Sequence, residues 1–411
     1  MRILKVVQFY YPFQDRGGPV VKVRALAHAL ANRGHEITVL TADLGLKKMS
    51  TATMPYAPTE WGYSAKENNI EAVYLPTVAH YRAMTLNPAV IGFSRSSLRR
   101  FDLVHFYGLY DLLGPAVSHF CRSFAKPYVV EPMGMYRPID RGFALKRVWH
   151  RSVGQSFLGH AAKFVVTSEL EEEDLLSGGV PGEKVVLRYN GIDAKAFATL
   201  PARGAFRNAH GVNANEPVLL FLGRLIPRKG ADILIDAFAK ACPVSGRLVV
   251  AGPEGEPGYV DGLRQRATQA GVESRVIFTG PLYDDQKLQV LADGDIFMLP
   301  SRYENFANSA AEAIACGMPV IISDRCGISS LVEGRAGLVV PAETGALVKA
   351  IEALLTDRAL YQKFQQGCRA VTAELGWDRL SEQMERYYAQ AMETPIATST
   401  GTSIGSANGH H

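Results

Sequence analysis

Two doubly wound α/β domains facing a cleft are predicted for this chain, and three observations carry the prediction. Short apolar runs alternate with stretches of helical spacing, as in Ile3 to Phe9, Val20 to Ala31 and Ile37 to Thr41. Several runs end in Gly- or Pro-containing loops that open onto a helix, among them Gly223 to Gly230 and Pro300 to Glu312. The alternation starts afresh at Pro217, after the turn Asn190-Gly191-Ile192-Asp193. The expected division is a first Rossmann-like domain at 1–190, a second at 191–375, a helix at 376–392 that returns to the first domain, and a disordered tail at 393–411.

Size and composition bound the class. A chain of 411 residues has room for two domains of ordinary size. With 47% hydrophobic and 20% charged residues it suits a soluble globular protein. A formal net charge of +4, with no nucleic-acid motif, argues against a nucleic-acid partner. The five cysteines are scattered, odd in number and without paired metal spacing, so core or free thiols in a reducing cytoplasm are expected. Met1 to Val7 is too short and interrupted for a signal peptide and reads as a strand. No run reaches the ~20 apolar residues of a spanning helix.

In the first half, Ile3 to Phe9 is a strand, and Gly17-Gly18 closes the loop after it. These glycines read either as a plain turn or as a place where backbone N–H groups approach a phosphate or sugar. The Thr-, Pro- and Ala-rich segment from Gly45 to Lys66 reads as loop, and Glu71 to Pro76 as a strand. His80 to Arg100 carries Arg82, Arg95, Arg99 and Arg100 among Tyr81, Met84, Leu86, Ile91, Phe93 and Leu98. It is either a solvated helix packed on its own domain or an amphipathic surface that meets anionic lipid at the inner face of the plasma membrane. Phe101 to Phe106 is a strand with His105 near its end, which reads as a satisfied structural residue more readily than as a catalyst. Lys126 to Met135 is the next strand and its exit loop. There Glu131 is the nearest ionisable group, facing either an acceptor or solvent. Phe143 to Arg151 opens a helix with a basic, aromatic face, for which a lipid surface and plain exposure compete. Ala162 to Thr167 is a strand, Ser168 caps the acidic helix start that follows, and Val185 to Arg188 closes the half.

In the second half, Pro217 to Leu222 is a strand. Arg224 and Lys229 at its exit, beside a helix start, can neutralise a diphosphate or are surface charge. Leu248 to Gly252 and Val276 to Thr279 are strands, the latter followed by Gly280-Pro281-Leu282-Tyr283, and Asp284-Asp285 reads as a helix cap. Asp295 to Pro300 is a buried strand, and Ser309 to Cys316 a short Ala-rich helix capped by Asn308 or Asn305 and stopped by Gly317. Glu304 thus sits on a loop at the carboxyl end of a strand, and Glu312 early on the helix. Carboxylates placed there can accept hydrogen bonds from sugar hydroxyls, beside a helix N-terminus that attracts phosphate. The alternative is a pair of solvated glutamates. Pro319 to Ser323 is a strand, and Leu347 to Leu355, most of Tyr361 to Glu374, and Trp377 to about Ala389 are helices.

Pro300-Ser301, Glu304-Asn305-Phe306-Ala307, Glu312-Ala313 and Gly317-Met318-Pro319-Val320 together resemble the Glu-x7-Glu motif of glycosyltransferase family 4, whose members are retaining and nucleotide-sugar-dependent. Gly223-Arg224-Leu225 with Lys229-Gly230 resembles that family's Gly-Arg-Leu-x3-Lys-Gly. Gly17-Gly18, Arg33 to Val39, Asp102 to His105 and Asn190 to Asp193 are also similar to it. Asn305 and Ala307 stand where the family often has Gly, and Met133 where many members have a His.

The resemblance implies the GT-B fold and transfer of a hexosyl group, with retention, from a UDP- or GDP-linked sugar to a hydroxyl of a glycan or lipid-linked acceptor, in exopolysaccharide or other cell-surface glycan synthesis. It implies Glu304, Arg224 and Lys229 as catalytic residues and Glu312 as the ribose holder. Asn305, Phe306, Ala307, Gly17, Gly18, Gly223, Glu131, Met133, Asn190 and Leu282 would line the substrate sites. No cofactor is implied and no Asp-x-Asp of the metal-presenting kind is read, so a metal-independent reaction is expected. A sugar-nucleotide epimerase of the same fold, which needs an acid/base pair, and a non-catalytic sugar-nucleotide binder are the alternatives.

Overall fold

The computed structural model describes residues 1–13, 18–44, 46, 56–81, 84–136, 149–242 and 245–394. The chain forms two compact units, one from Met1–Gly191 together with the stretch from Trp377, the other from Ile192–Gly376. Among the described residues no helix is long and apolar enough to cross a membrane.

The first unit holds β1 (Arg2–Val7), β2 (Glu36–Ala42), β3 (Ala57–Thr59), β4 (Gly62–Glu67), β5 (Ile70–Leu75), β6 (Ala79–Tyr81), β7 (Met84–Leu86), β8 (Leu103–Tyr107), β9 (Tyr128–Glu131), β10 (Lys163–Val166) and β11 (Val185–Leu187). Nine of them form one sheet in the order β11-β10-β9-β8-β1-β2-β5-β4-β3, and β6 pairs with β7 in a separate two-stranded sheet. From β11 to β5 the neighbours are parallel, and β8 is buried at every residue, as expected for a sheet covered on both faces. Alternation along the strands sends Leu4, Val6, Val104 and Phe106 into one core layer, and Ile3, Val39, Leu103 and Val129 into the other. The helix Gly18–Asn32 joins β1 to β2. The last helix, Trp377–Glu393, is tied beside it by Glu385, which meets Arg33 at 2.6 Å and His35 at 2.7 Å.

Two readings of this half are corrected. The expected loop from Gly45 to Lys66 contains β3 and most of β4, antiparallel strands that extend the sheet beyond β5. The turn Asn68-Asn69, with Asn68 at φ 53°, joins β4 to β5. Asn-rich two-residue turns favour tight hairpins. His80 to Arg100 is not one helix, because β6 and β7 precede the helix Ala89–Ser97. Arg82 and residues 143–148 of the basic helix start lie outside the described residues, as do 395–411 of the tail.

The second unit is built on β12 (Val218–Leu222), β13 (Arg247–Ala251), β14 (Val276–Gly280), β15 (Ile296–Leu299), β16 (Val320–Ser323) and β17 (Gly337–Val340). All are parallel, in the order β14-β13-β12-β15-β16-β17. The chain runs outward from β12 to β14, then returns to the other side of β12, so strand order reverses between β12 and β15. The equivalent reversal in the first unit lies between β1 and β8. In open α/β sheets ligands bind outside the carboxyl ends of the strands at such reversals.

Candidate functional site

At the reversal in the second unit, the exits of β12 and β15 are welded together. The 3-10 turn Pro227–Lys229 follows β12, and Gly230 stands at φ 75°. A Cβ on Gly230 would lie 2.1 Å from the Pro300 carbonyl oxygen, so only glycine allows this approach. The Arg302 N–H donates to the Arg228 carbonyl at 2.8 Å, and the Arg302 guanidinium forks onto Asp232 at 2.7 and 3.1 Å. The neighbouring exits are as close, since a Cβ on Gly252 would meet the Gly223 carbonyl oxygen at 1.8 Å.

This packing brings Lys229 and Glu304 together from 75 positions apart. The Lys229 ammonium is in direct contact with Glu304 Oε2, and both side chains are largely buried. Glu304 is fixed through its backbone: its N–H donates to the Arg325 carbonyl and its carbonyl accepts from Gly327, both at 2.9 Å. Arg224 is exposed and makes no ion pair among the described residues. Next to them the helix Asn308–Ala315 begins. Its N-cap is neither Asn308 nor Asn305 but Ala307, at φ 82° and ψ 62° with no side-chain cap bond. Ala307 and Phe306 are buried, so they offer a ligand their backbone rather than their side chains. On this helix Glu312 pairs with Lys287 at 2.7 Å, a lysine that no spacing in the sequence connects to it.

Leu282 lies half-buried after β14, and the helix following it, Asp284–Asp293, is capped at Tyr283. Asp284 and Asp285 are therefore its first-turn acids and not the cap. The chain does contain the letters Asp293-Gly294-Asp295. Asp293 accepts the N–H groups of Gly204 at 2.5 Å and Arg207 at 2.9 Å, and Asp295 accepts from Arg207 Nη2 at 2.7 Å and the Val218 N–H at 2.8 Å. Among the described residues no group of three or more His, Cys, Asp and Glu side chains could hold a metal ion.

In the first unit, Gly17 lies outside the described residues, and Gly18 is the exposed first residue of its helix. Glu131 is the main correction. It faces neither acceptor nor solvent: it is fully buried at the end of β9, in contact with Lys22 of the helix Gly18–Asn32, and 2.7 Å from Arg188 Nη2. Burial by itself would raise its pKa, but the Arg188 and Lys22 charges prevail and hold it well below the carboxylate range. His105 is buried with Nε2 3.5 Å from Glu131 and Nδ1 2.7 Å from the Tyr388 hydroxyl, and burial pushes its pKa down to about 3. Lys5, in the middle of β1, donates to Tyr107 at 2.7 Å, and burial holds its pKa well below the usual lysine value. These groups form one internal network.

Met133 follows β9 at φ 60°, with Gly134 at φ 74°. Glu171, buried, accepts from the Gly134 N–H and from the N–H and hydroxyl of Thr167 at 2.9 and 3.0 Å, so it pins this exit loop to the exit of β10. Asn190 is buried in the first unit. Sequence reasoning missed Lys22, Glu171, Arg188 and Lys287. Each acts through a partner far away in the chain, and only the fold supplies that partner.

Comparison with known proteins agrees with this architecture. Residues 17–191 match the family model "Glycosyl transferase 4-like domain", and residues 202–371 match "Glycosyl transferases group 1". The chain is 29% identical over 401 residues to a D-inositol 3-phosphate glycosyltransferase of Xylanimonas cellulosilytica, covering 92% of each chain. It is 24% identical over 411 residues to an uncharacterized glycosyltransferase of Methanocaldococcus jannaschii, covering 95% of this chain and 98% of that one. The structure of Anabaena HepE in complex with UDP-glucose superposes with a TM-score of 0.72 at 22% identity, covering 95% of this chain and 99% of that one. Two matched domain models that between them span both units, and the fold shared with such structures, make this chain a GT-B glycosyltransferase of the family 4 type.

Proposed function

We propose that the chain transfers a hexosyl group from a nucleoside diphosphate-sugar to an acceptor hydroxyl, with retention of anomeric configuration. The carrying observation is the convergence of Lys229 from the β12 exit and Glu304 from the β15 exit, with Arg224 exposed on the same β12 exit. In the reaction the bond from the anomeric carbon to the diphosphate oxygen breaks, a bond to the acceptor oxygen forms, and the acceptor's hydroxyl proton passes to the leaving diphosphate. Negative charge grows on the leaving diphosphate, and Arg224 and Lys229 are the cations placed to stabilise it. Glu304 accepts hydrogen bonds from donor-sugar hydroxyls and Glu312 from the ribose. With two side-chain cations in this role, the reaction needs no metal. Because HepE is seen in complex with UDP-glucose, a UDP-linked sugar is the first donor to test.

For the acceptor, a glycan or lipid-linked hydroxyl in exopolysaccharide or other cell-surface glycan synthesis is the first reading. A second is favoured by the curated relatives named D-inositol 3-phosphate glycosyltransferase: a phosphorylated cyclitol.

The test is thermal stabilisation by UDP-, GDP- and ADP-sugars in EDTA, followed by proton NMR of the product's anomeric coupling with glycan, polyprenyl-linked and inositol phosphate acceptors. Stabilisation by one nucleotide class and a retained anomer are expected. An inverted anomer, or a shift that appears only when a divalent ion replaces EDTA, refutes the corresponding part. Glu304→Ala separates enzyme from binder, because a folded variant without turnover is expected of the enzyme alone.

A further inference from the structure

The turn that leaves β9 runs against the preference of one of its own residues. The Met135 N–H donates to the Pro132 carbonyl at 3.2 Å, with Met133 at φ 60° and Gly134 at φ 74° between them. Two positive φ values at the centre match a type I′ turn, which Gly, Asn and Asp dominate. Gly134 meets that demand. Met133 does not, because in the left-handed region a Cβ crowds the following carbonyl oxygen. A bulky residue stays there only where its surroundings impose the conformation.

Glu171 imposes it. Ser168 caps the helix Glu169–Ser177 and accepts the Glu171 N–H at 3.1 Å. A glutamate at this third helical position ordinarily reaches back to the N–H of the capping serine. Here Oε2 instead accepts the N–H and hydroxyl of Thr167, and Oε1 accepts the Gly134 N–H at the centre of the turn. Glu171 is 1% exposed. Burying a carboxylate is costly, and Asn or Gly at position 133 would close the same turn without one. Turn formation alone does not account for the arrangement.

The turn's place does. Strand order in the first unit reverses between β1 and β8, and β9 lies beside β8. The N–H of Gly108, just past β8, donates to the Glu131 carbonyl at 2.9 Å, and a Cβ on Gly108 would lie 3.7 Å from Met135 Sδ. The β8 and β9 exits are therefore in contact. The helix that follows β1 is held to the end of β9 by Lys22 and Glu131. The turn, with Met133 and Gly134 half-buried, thus forms part of the rim where ligands bind in such a sheet.

We propose that Glu171 is a positioning residue for transfer: it holds Met133 in the left-handed conformation and so sets the rim against which the acceptor hydroxyl is oriented. The inference rests on the proposed transfer reaction. The buried carboxylate acts through the Gly134 N–H. Gln at this position keeps the volume but has one accepting oxygen where donors face both oxygens, so its amide group meets a donor and the turn relaxes.

Two readouts on the full chain test this. Hydrogen exchange needs no turnover: Glu171→Gln should speed exchange of the Met135 amide, which closes the turn, but not in a Met133→Gly background, because glycine holds positive φ unaided. Initial rates with UDP-glucose and the inositol phosphate or polyprenyl-linked acceptor, whichever turns over, are the second readout. Glu171→Gln should lower kcat about thirtyfold with donor KM within about twofold, and the loss should shrink below about threefold in the Met133→Gly background. Glu173→Gln, exposed on the same helix, should change neither readout. Unchanged tryptophan emission shows that each variant is folded. The proposal is overturned if Glu171→Gln leaves Met135 exchange unchanged, if it lowers kcat equally in both backgrounds, or if it raises donor KM alone. With an active wild type these results leave the transferase reading intact. A wild type that transfers to no acceptor while exchange responds as expected refutes the transfer reading, and with it the positioning role, and reduces Glu171 to a structural clamp.

Discussion

Replacing Glu131 by Gln removes one negative charge and leaves volume and shape nearly unchanged. In the folded first unit that charge lies between the Lys22 ammonium and the Arg188 guanidinium, with both Glu131 and Arg188 at 0% exposure. Among the described residues Nε and Nη1 of Arg188 have no hydrogen-bond partner, and Nη2 donates to Glu131. In the variant two buried cations face each other without their counter-ion. Breaking a buried pair in this way costs about 3–5 kcal/mol, a large share of the 5–15 kcal/mol that typically holds a domain together. For a unit of this size that is a drop in Tm of roughly 6–20 °C.

The assay can be made specific to this unit. The chain has three tryptophans, Trp61, Trp149 and Trp377, and all lie in the first unit. Tryptophan fluorescence in urea therefore reports on the unit that holds Glu131. A loss below about 1 kcal/mol, the scale of an exposed ion pair, would refute the reasoning and return Glu131 to solvent or ligand. Lys22→Met, Glu131→Leu and Arg188→Met combined should recover most of the loss, because apolar replacement of a whole buried charge group is often neutral or better.

Three further outcomes are expected. The folded pKa of His105 is depressed to about 3 against ~6.5 unfolded, so its contribution is complete above pH ~6.5 and is lost as pH falls; first-unit stability should drop by about 2 kcal/mol between pH 6.5 and 5, and His105→Gln should flatten that slope in the same fluorescence assay. Ala307→Gly, which relieves a non-glycine residue at φ 82°, should stabilise the second unit by about 1 kcal/mol in calorimetry, and a lower transition temperature would contradict the strain. Glu304→Gln should abolish transfer yet tighten the bare nucleoside diphosphate about fivefold in titration calorimetry, because Lys229 no longer has its internal counter-ion, whereas Lys229→Gln should weaken it; equal weakening by both would show that Glu304 does not compete with the diphosphate.

These outcomes follow a division in what the sequence made legible. The positions of Arg224, Lys229 and Glu304 could be read because they sit at strand exits, where Gly and Pro punctuation and apolar runs mark position even without a fold: Arg224 and Lys229 after Leu222, Glu304 after Leu299. Local pattern could not tell how such residues are paired. Glu131 follows three apolar strand residues, the same context as a ligand-facing carboxylate. It is buried because Lys22 arrives from a helix more than a hundred residues earlier and Arg188 from 57 residues later. Ala307 was legible as a departure, but its left-handed backbone was not, because alanine gives no sign of positive φ as glycine does.

The same limit explains the charge of the candidate site. Read singly, Glu304 and Glu312 are free carboxylates that await sugar hydroxyls. In the fold each already holds a lysine, Lys229 and Lys287 respectively, so these two pairs carry no net charge, while Arg224 makes no ion pair among the described residues. In the proposed function an arriving diphosphate would have to draw Lys229 away from Glu304, and a departing one would give it back. Product affinity would then be held down by the carboxylate proposed to orient the donor sugar. That competition, rather than the number of positive charges at the site, is what the Glu304→Gln titration measures.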